Sequence, residues 1–168
     1  MNVSKYIEKA KSSQFYLKLL NLGLNRMVPF NKPHGFRVLE IGDHHLKTKV
    51  PYRRKNFNHI RGIHACALAT LSEFTTGFLL LIKLDPKKYR LIMQKLVMEY
   101  HYQAKMDAFA YCSLSDEWLD AEVFVPLNSE AKVAVDCIIK IHDTDGNHLS
   151  TGTVTWQIKN WEKVKTKV

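Results

Sequence analysis

The clearest periodicity in the chain runs from Ala131 to Ile141. There Ala131, Val133, Val135, Cys137, Ile139 and Ile141 are apolar, while Lys132, Asp136, Lys140 and His142 intervene. A period of two places one row of side chains on a buried sheet face and the other on its back, so this segment predicts a strand. Asp145-Gly146 then predicts a hairpin turn into Leu149–Ile158, where Val154, Trp156 and Ile158 share a face. Upstream, Phe36 to Tyr52 predicts a strand pair, with Gly42-Asp43 as the turn or bulge between Val38–Ile41 and Leu46–Val50, ended by Pro51. After Pro86, the run Leu91–Gln103 is rich in Val, Ile, Tyr and Met, and Asp107–Ser113 carries Phe109 and Tyr111; both predict strands. Asp116 to Phe124 reads as a short helical or irregular connection.

Two segments follow the helical period instead. Near the N-terminus, Val3, Ile7, Ala10, Leu17, Leu20 and Leu24 recur at three- to four-residue multiples. The stripe is broad and flanked by Lys5, Lys9 and Lys11, a character shared with membrane-surface helices. Phe15, Tyr16 and Leu19 widen it towards ordinary packing, so docking on the domain's own core is expected. The second segment, Gly62 to Ile82, is almost wholly apolar, with Glu73 as its single formal charge. Its length reaches the roughly 20 residues of a bilayer span, but a carboxylate at the centre costs about 2.5–3.5 kcal/mol there. The amphipathic strands around it also need a core element to pack on. A buried helix wrapped by a sheet or lying at a subunit interface is the simpler reading.

Helices segregated from a continuous antiparallel sheet define an α+β class. At 168 residues, with no repeat and no linker-like stretch, the chain reads as one domain, 1–168, whose residues 1–30 form an N-terminal helical extension. Cys66, Cys112 and Cys137 form no CxxC pair, which argues against a disulfide framework and for a reducing, cytoplasmic setting. The N-terminus lacks the uninterrupted apolar stretch of a signal peptide. With 25 Lys+Arg against 16 Asp+Glu, the net charge of +9 admits anionic partners without choosing among them. The densest basic clusters are Arg53-Arg54-Lys55 and the group Lys83, Lys87, Lys88 and Arg90.

On the central helix, about 100° per residue puts Gly62, Cys66, Thr70, Glu73 and Gly77 on one mostly small face, with Leu68, Leu71, Thr75, Phe78 and Ile82 on a bulky one. Small residues let another backbone or a ligand approach. A buried carboxylate on such a face is costly unless paired or used. Glu73 is therefore either bonded to a neighbouring group or a general base or nucleophile tuned by burial.

The stretch Asn58-His59-Ile60-Arg61-Gly62-Ile63-His64-Ala65, followed by the helix to Glu73, resembles the hotdog-fold thioesterases, and most of all their PaaI-like branch and a poorly characterised bacterial group beside it. The family pattern is an Asn, a Gly, then His-Gly at the start of a long helix, then an acid nine positions after the His. Asn58, Gly62, His64 and Glu73 keep those spacings, over a resemblance reaching from Phe36 to Trp161. It implies a sheet curled around the helix and a homodimer, in many relatives paired again into tetramers. It also implies an active site across the dimer interface, where Glu73 of one subunit meets Asn58 and the helix start of the other. In those roles the Ala65 N–H at the positive helix end serves as oxyanion donor, Glu73 activates water or attacks the thioester carbonyl, and Asn58 orients water or carbonyl. His64 contacts substrate or supports the helix start, with Gly62 beside it. Two departures stand out: Ala65 replaces the second Gly of His-Gly, and the acid is Glu where the nearest branch often has Asp.

The expected function is hydrolysis of an acyl-CoA or acyl-carrier thioester, with Arg53, Arg54 and Lys55 as candidates for the CoA phosphates on charge alone. The alternative is a non-catalytic acyl- or lipid-binding protein, motivated by Ala65. A basic nucleic-acid module is a third reading, disfavoured because most aromatics share strands with aliphatic neighbours; no nucleic-acid partner and no stable membrane insertion are expected. No cofactor is expected. His44-His45, His59 and His64 lack metal-ligand spacing, so no metal is expected either. Asp143-Thr144-Asp145-Gly146 lacks the remaining ligands of a calcium loop, and Ser129-Glu130-Ala131-Lys132 leads into a strand where an SxxK motif would open a helix.

Overall fold

A computed structural model describes residues 3–164 of the chain. Residues 1–2 and 165–168, at the ends of the expected domain, lie outside the described residues, as does the Val3 side chain of the N-terminal stripe. Two helices, α1 (Val3–Ser12) and α2 (Gln14–Met27), precede strands β1 (Arg37–Ile41) and β2 (His45–Val50). The central helix α3 (Ala65–Lys83) follows, then β3 (Tyr89–Tyr100) and β4 (Ala108–Ser113). A helical connection, with α4 (Asp116–Leu119) and α5 (Val125–Ser129) joined by a π turn, leads to β5 (Lys132–Asp143) and β6 (His148–Asn160). The strands form one antiparallel sheet in the order β1-β2-β4-β5-β6-β3, curled around α3.

The strict alternation read in β5 is real: Val133, Val135, Cys137, Ile139 and Ile141 are buried, while Lys132, Ala134, Asp136, Ile138 and Lys140 are exposed. Asp143 closes the hairpin to β6 by accepting from the backbone N–H groups of Asp145 and Asn147, and Gly146 takes the positive φ of 83° that the turn needs. The Asp-Gly segment is a turn.

α3 is the one helix among the described residues long and apolar enough to cross a bilayer, and it is packed as a core helix, with ten of its residues buried. Its buried hydroxyls are satisfied internally. Thr75 bonds Leu71 O and meets Thr48 Oγ1 at 2.6 Å; Thr76 bonds Ser72 O and accepts from Trp156 Nε1 at 3.0 Å. Gly77, expected on the open small face, instead receives the Trp156 ring: a Cβ there would lie 2.5 Å from Trp156 Cη2. The helix also begins later than expected. Gly62 and Ile63 belong to the preceding loop, because Ile63 bridges to Phe57 and donates its N–H to Ala104 O at 2.7 Å.

The N-terminal segment is two helices where one was expected. Ser13 is extended (φ −133°, ψ 119°) and opens α2 as its cap residue. Ile7, Ala10 and Leu17 of the predicted stripe are buried, with Leu20 and Leu24 packed beside them. Asn21 clamps α2 to the sheet: its Nδ2 donates to Val38 O and its Oδ1 accepts from Val38 N, satisfying both backbone groups of a β1 residue. Phe15 and Leu19, expected to join the packing face, are exposed instead, since α2 turns them away from β1.

Candidate active site

His64 caps α3. Its backbone is extended, and its Nδ1 accepts from the Cys66 N–H at 3.1 Å. That acceptor role fixes the proton of the neutral ring on Nε2, which is left as a donor. One residue on, the Ala65 N–H is at the first helical position and has no acceptor among the described residues, while the Ala65 carbonyl accepts from Tyr100 Oη at 3.1 Å. A free N–H at the positive end of a 19-residue helix is a donor for a developing negative charge.

From this point a line of residues runs up the open face of α3: Cys66 exposed, then Thr70 and Glu73 half-buried. Thr70 spends its hydroxyl on Cys66 O. The Glu73 carboxylate has no hydrogen-bond or salt-bridge partner among the described residues, and burial pushes its pKa above the usual carboxylate value.

Beside the helix start lies a cavity of about 200 Å³, lined by His64, Cys66, Ala67 and Thr70 on one side and Phe30, His34, Phe36, Lys55, Asn56 and Phe57 on the other. Asn56 organises it. Buried in the turn Arg54–Asn56, it donates through Nδ2 to His34 O and Pro51 O, accepts from the His64 N–H through its own carbonyl, and sets Oδ1 at 3.1 Å from His34 Nδ1. With both amide protons committed, Oδ1 faces His34 as an acceptor, so His34 Nδ1 carries the proton and its Nε2 is an acceptor. The cavity walls thus hold one imidazole donor and one imidazole acceptor among phenyl rings.

The other expected site residues fall as follows. Asn58 Oδ1 accepts from the N–H groups of Ile60 (3.1 Å) and Gly62 (2.9 Å), holding a loop in which Arg61 takes a positive φ of 59°. Its Nδ2 makes no intrachain bond among the described residues. Gly62 is buried rather than open to a ligand, and a Cβ there would lie 3.1 Å from Gln103 Cγ and 3.3 Å from Ala104 O. Arg53 donates to Pro33 O, which ties down the connection from α2. Arg54 is exposed, and Lys55 is exposed at the cavity wall. Glu73 and Asn58 do not line this cavity within one chain. Phe30, His34 and Asn56 carried no sequence signal: Phe30 ends the expected extension, His34 lies in the turn between it and β1, and Asn56 sits in a basic loop like any turn residue. Of the thiols, Cys66 is exposed, whereas burial pushes Cys112 and Cys137 up to about 12.

The model of a family described as a domain of unknown function, DUF4442, matches residues 17–158. The chain belongs to that family. Solved structures share the family member's hotdog fold. A protein of unknown function from Pseudomonas aeruginosa, named "Probable Thioesterase", superposes with a TM-score of 0.78 at 20% identity, over 85% of this chain and 95% of that one. A mutant thioesterase from the same organism gives 0.67 at 14% identity, over 86% and 94%. A thioesterase from Haemophilus influenzae gives 0.67 at 11% identity, over 90% and 95%. No curated protein matches the sequence.

Proposed function

We propose that the chain is a thioesterase acting on an acyl-CoA or acyl-carrier thioester. The observation that carries this reading is Glu73: a half-buried, unpaired carboxylate with a raised pKa, on the open face of α3 above a free helix N-terminus and an apolar cavity. In this reading the site spans two subunits, since about 12 Å of helix separates Ala65 from Glu73 within one chain, and the thioester oxygen accepts from the Ala65 N–H of the subunit facing Glu73. Glu73 takes a proton from water as the water oxygen adds to the carbonyl carbon, or attacks that carbon itself. Collapse of the tetrahedral adduct breaks the C–S bond, and the leaving thiolate takes up a proton; where Glu73 itself attacked, water then cleaves the resulting acyl anhydride, releasing the acid and restoring the carboxylate. The Asn58 amide N–H and the His64 Nε2–H are donors that hold water or substrate, and Lys55 and Arg54 face the phosphates of the CoA portion. The three unpaired cysteines support a cytoplasmic location.

We further propose that the working unit is a homodimer of single-domain chains, joined through β3, with tetramers as a further association. β3 is a 12-residue strand paired only with β6, and it exposes Ile92, Met93, Val97 and Tyr100. Long apolar edges invite pairing with another chain. Tyr100 Oη reaches Ala65 O, so a partner on this edge packs beside α3, and in this reading the partner's Asn58 and helix start meet Glu73.

The test is thiol release from a panel of acyl-CoAs by the native chain and by Glu73→Gln. Glu73→Gln is expected to lower kcat by about a hundredfold or more, the usual weight of a general base, with the fold intact. Equal turnover by the variant would sink the assignment. The competing reading, an acyl-binding protein without turnover, draws on Ala65 in place of Gly and on Asn58 Oδ1 being committed to the loop; saturable acyl-CoA binding with no thiol release would establish it.

A further inference from the structure

The N-terminal extension presents two apolar faces, and the sheet uses one. At about 100° per residue, Leu17, Leu20, Asn21 and Leu24 share the side of α2 that packs on β1. Phe15, Leu19, Leu22 and Arg26 fall within about 60° of one another on the opposite side. There Phe15 is 65% exposed and Leu22 68%; Met27, at the end of α2, is 73% exposed, and Phe30, in the connection that follows, 63%. Large apolar side chains grouped this way on a folded surface mark an interaction site.

Charge indicates what covers it. No Asp or Glu occurs between Glu8 and Glu40, while Lys9, Lys18, Arg26, Lys32 and Arg37 are all exposed. Lys11 is the exception, bound to Glu8 at 2.7 Å and Asp43 at 2.8 Å. A second copy seated on this face about a two-fold axis would set Lys18 and Arg26 against the same two cations of the other copy, which like charges oppose. An anionic bilayer takes both halves of the surface: apolar side chains at the acyl boundary and cations at the headgroups.

We propose that α2 and residues 28–32 form a docking surface for an anionic lipid bilayer, with Phe15, Leu22 and Phe30 as its apolar contacts and Lys18, Arg26 and Lys32 as its headgroup contacts. Phe30 is shared with the wall of the cavity beside α3, so the docked face borders the candidate site. The chain lies on the bilayer and does not span it, since α3 remains in the core.

The test is co-sedimentation of the full chain with vesicles of phosphatidylcholine alone and with vesicles of equal parts phosphatidylcholine and phosphatidylglycerol. Binding is expected to the second kind only, and to fall as salt is raised. Lys18→Glu with Arg26→Glu is expected to weaken it about twenty-five-fold or more, at about fivefold per basic contact removed. Phe15→Ser with Leu22→Ser is expected to abolish it while circular dichroism and melting temperature stay unchanged. Failure of the native chain to bind phosphatidylglycerol vesicles overturns the proposal, as does equal, salt-independent binding to both kinds. So does sedimentation velocity showing that Phe15→Ser with Leu22→Ser splits an oligomer while vesicle binding persists. The native chain's salt series decides the matter even if a variant misfolds. Hydrolysis of a soluble short-chain acyl-CoA reads the catalytic assignment separately.

Discussion

Glu73 and Asn56 are both polar residues in apolar surroundings, and the structure treats them oppositely. Asn56 makes every bond its amide can offer, so Asn56→Ala orphans His34 Nδ1 and two carbonyls at once. Each buried group left unsatisfied costs about 1–3 kcal/mol. A loss of about 3 kcal/mol is expected, seen as a melting temperature lower by roughly 6–12 °C. Glu73 is left without a partner, and its folded-state pKa lies above its ordinary 4.5. The native state therefore holds that proton more tightly than the unfolded chain. The stabilisation is complete below about pH 4.5 and is lost as pH rises through the raised value. Glu73→Gln is expected to raise the melting temperature at neutral pH and to leave it unchanged well below pH 4.5; a thermal melt series across pH reads both. If Glu73 is the base, the acidic limb of the kcat profile of the native enzyme lies above the ordinary carboxylate range, and this limb disappears in the variant. Sequence spacing pointed to Glu73 because a lone charge in an apolar run is conspicuous. Asn56 passed unnoticed, since its worth depends on a carbonyl and an imidazole more than twenty residues away.

At the scale of elements, period carried most of the information. β5 and β6 were legible because each buries one face, and a two-residue rhythm survives in the composition. The central helix was legible by length and hydropathy, but its first turn was not. Gly62-Ile63 is apolar like the helix, and only pairing with Phe57 and Ala104 shows that it is loop. The face of the helix was half right. Its small residues near the N-terminus do border open space, whereas Gly77 is small because Trp156 lies against it. Gly77→Ala is expected to destabilise the protein by about 1–3 kcal/mol through overpacking, despite the better helix propensity of Ala. Chemical denaturation measures it, and a neutral or stabilising result would mean that the indole moves aside freely. The break at Ser13 left no periodic trace, because α1 and α2 both continue the same apolar stripe.

At the scale of the whole molecule, strand order could not be read from the chain. β3 precedes β4 in sequence yet lies at the far edge beside β6, with β5 and β6 between the two in the sheet. That placement leaves the long apolar edge open. Charges on an edge discourage pairing, so if the proposed dimer forms through β3, Ile92→Lys with Val97→Lys is expected to leave a monomer in sedimentation velocity. On the proposed shared site, thiol release falls in step, because a monomer lacks the partner's Asn58. A monomeric variant with full turnover would mean that each chain carries a complete site. The cavity's far wall was equally illegible, since Phe30 ends a segment that sequence alone marked as an extension and His34 lies in the turn just after it.

The contrast among the three thiols has a practical side. Two are sealed within the sheet with pKa values of about 12, while Cys66 opens to solvent at the second residue of the central helix. A maleimide dye added to the native protein should therefore attach at a single position without any engineering, and its emission would report directly on whatever arrives at the mouth of the helix.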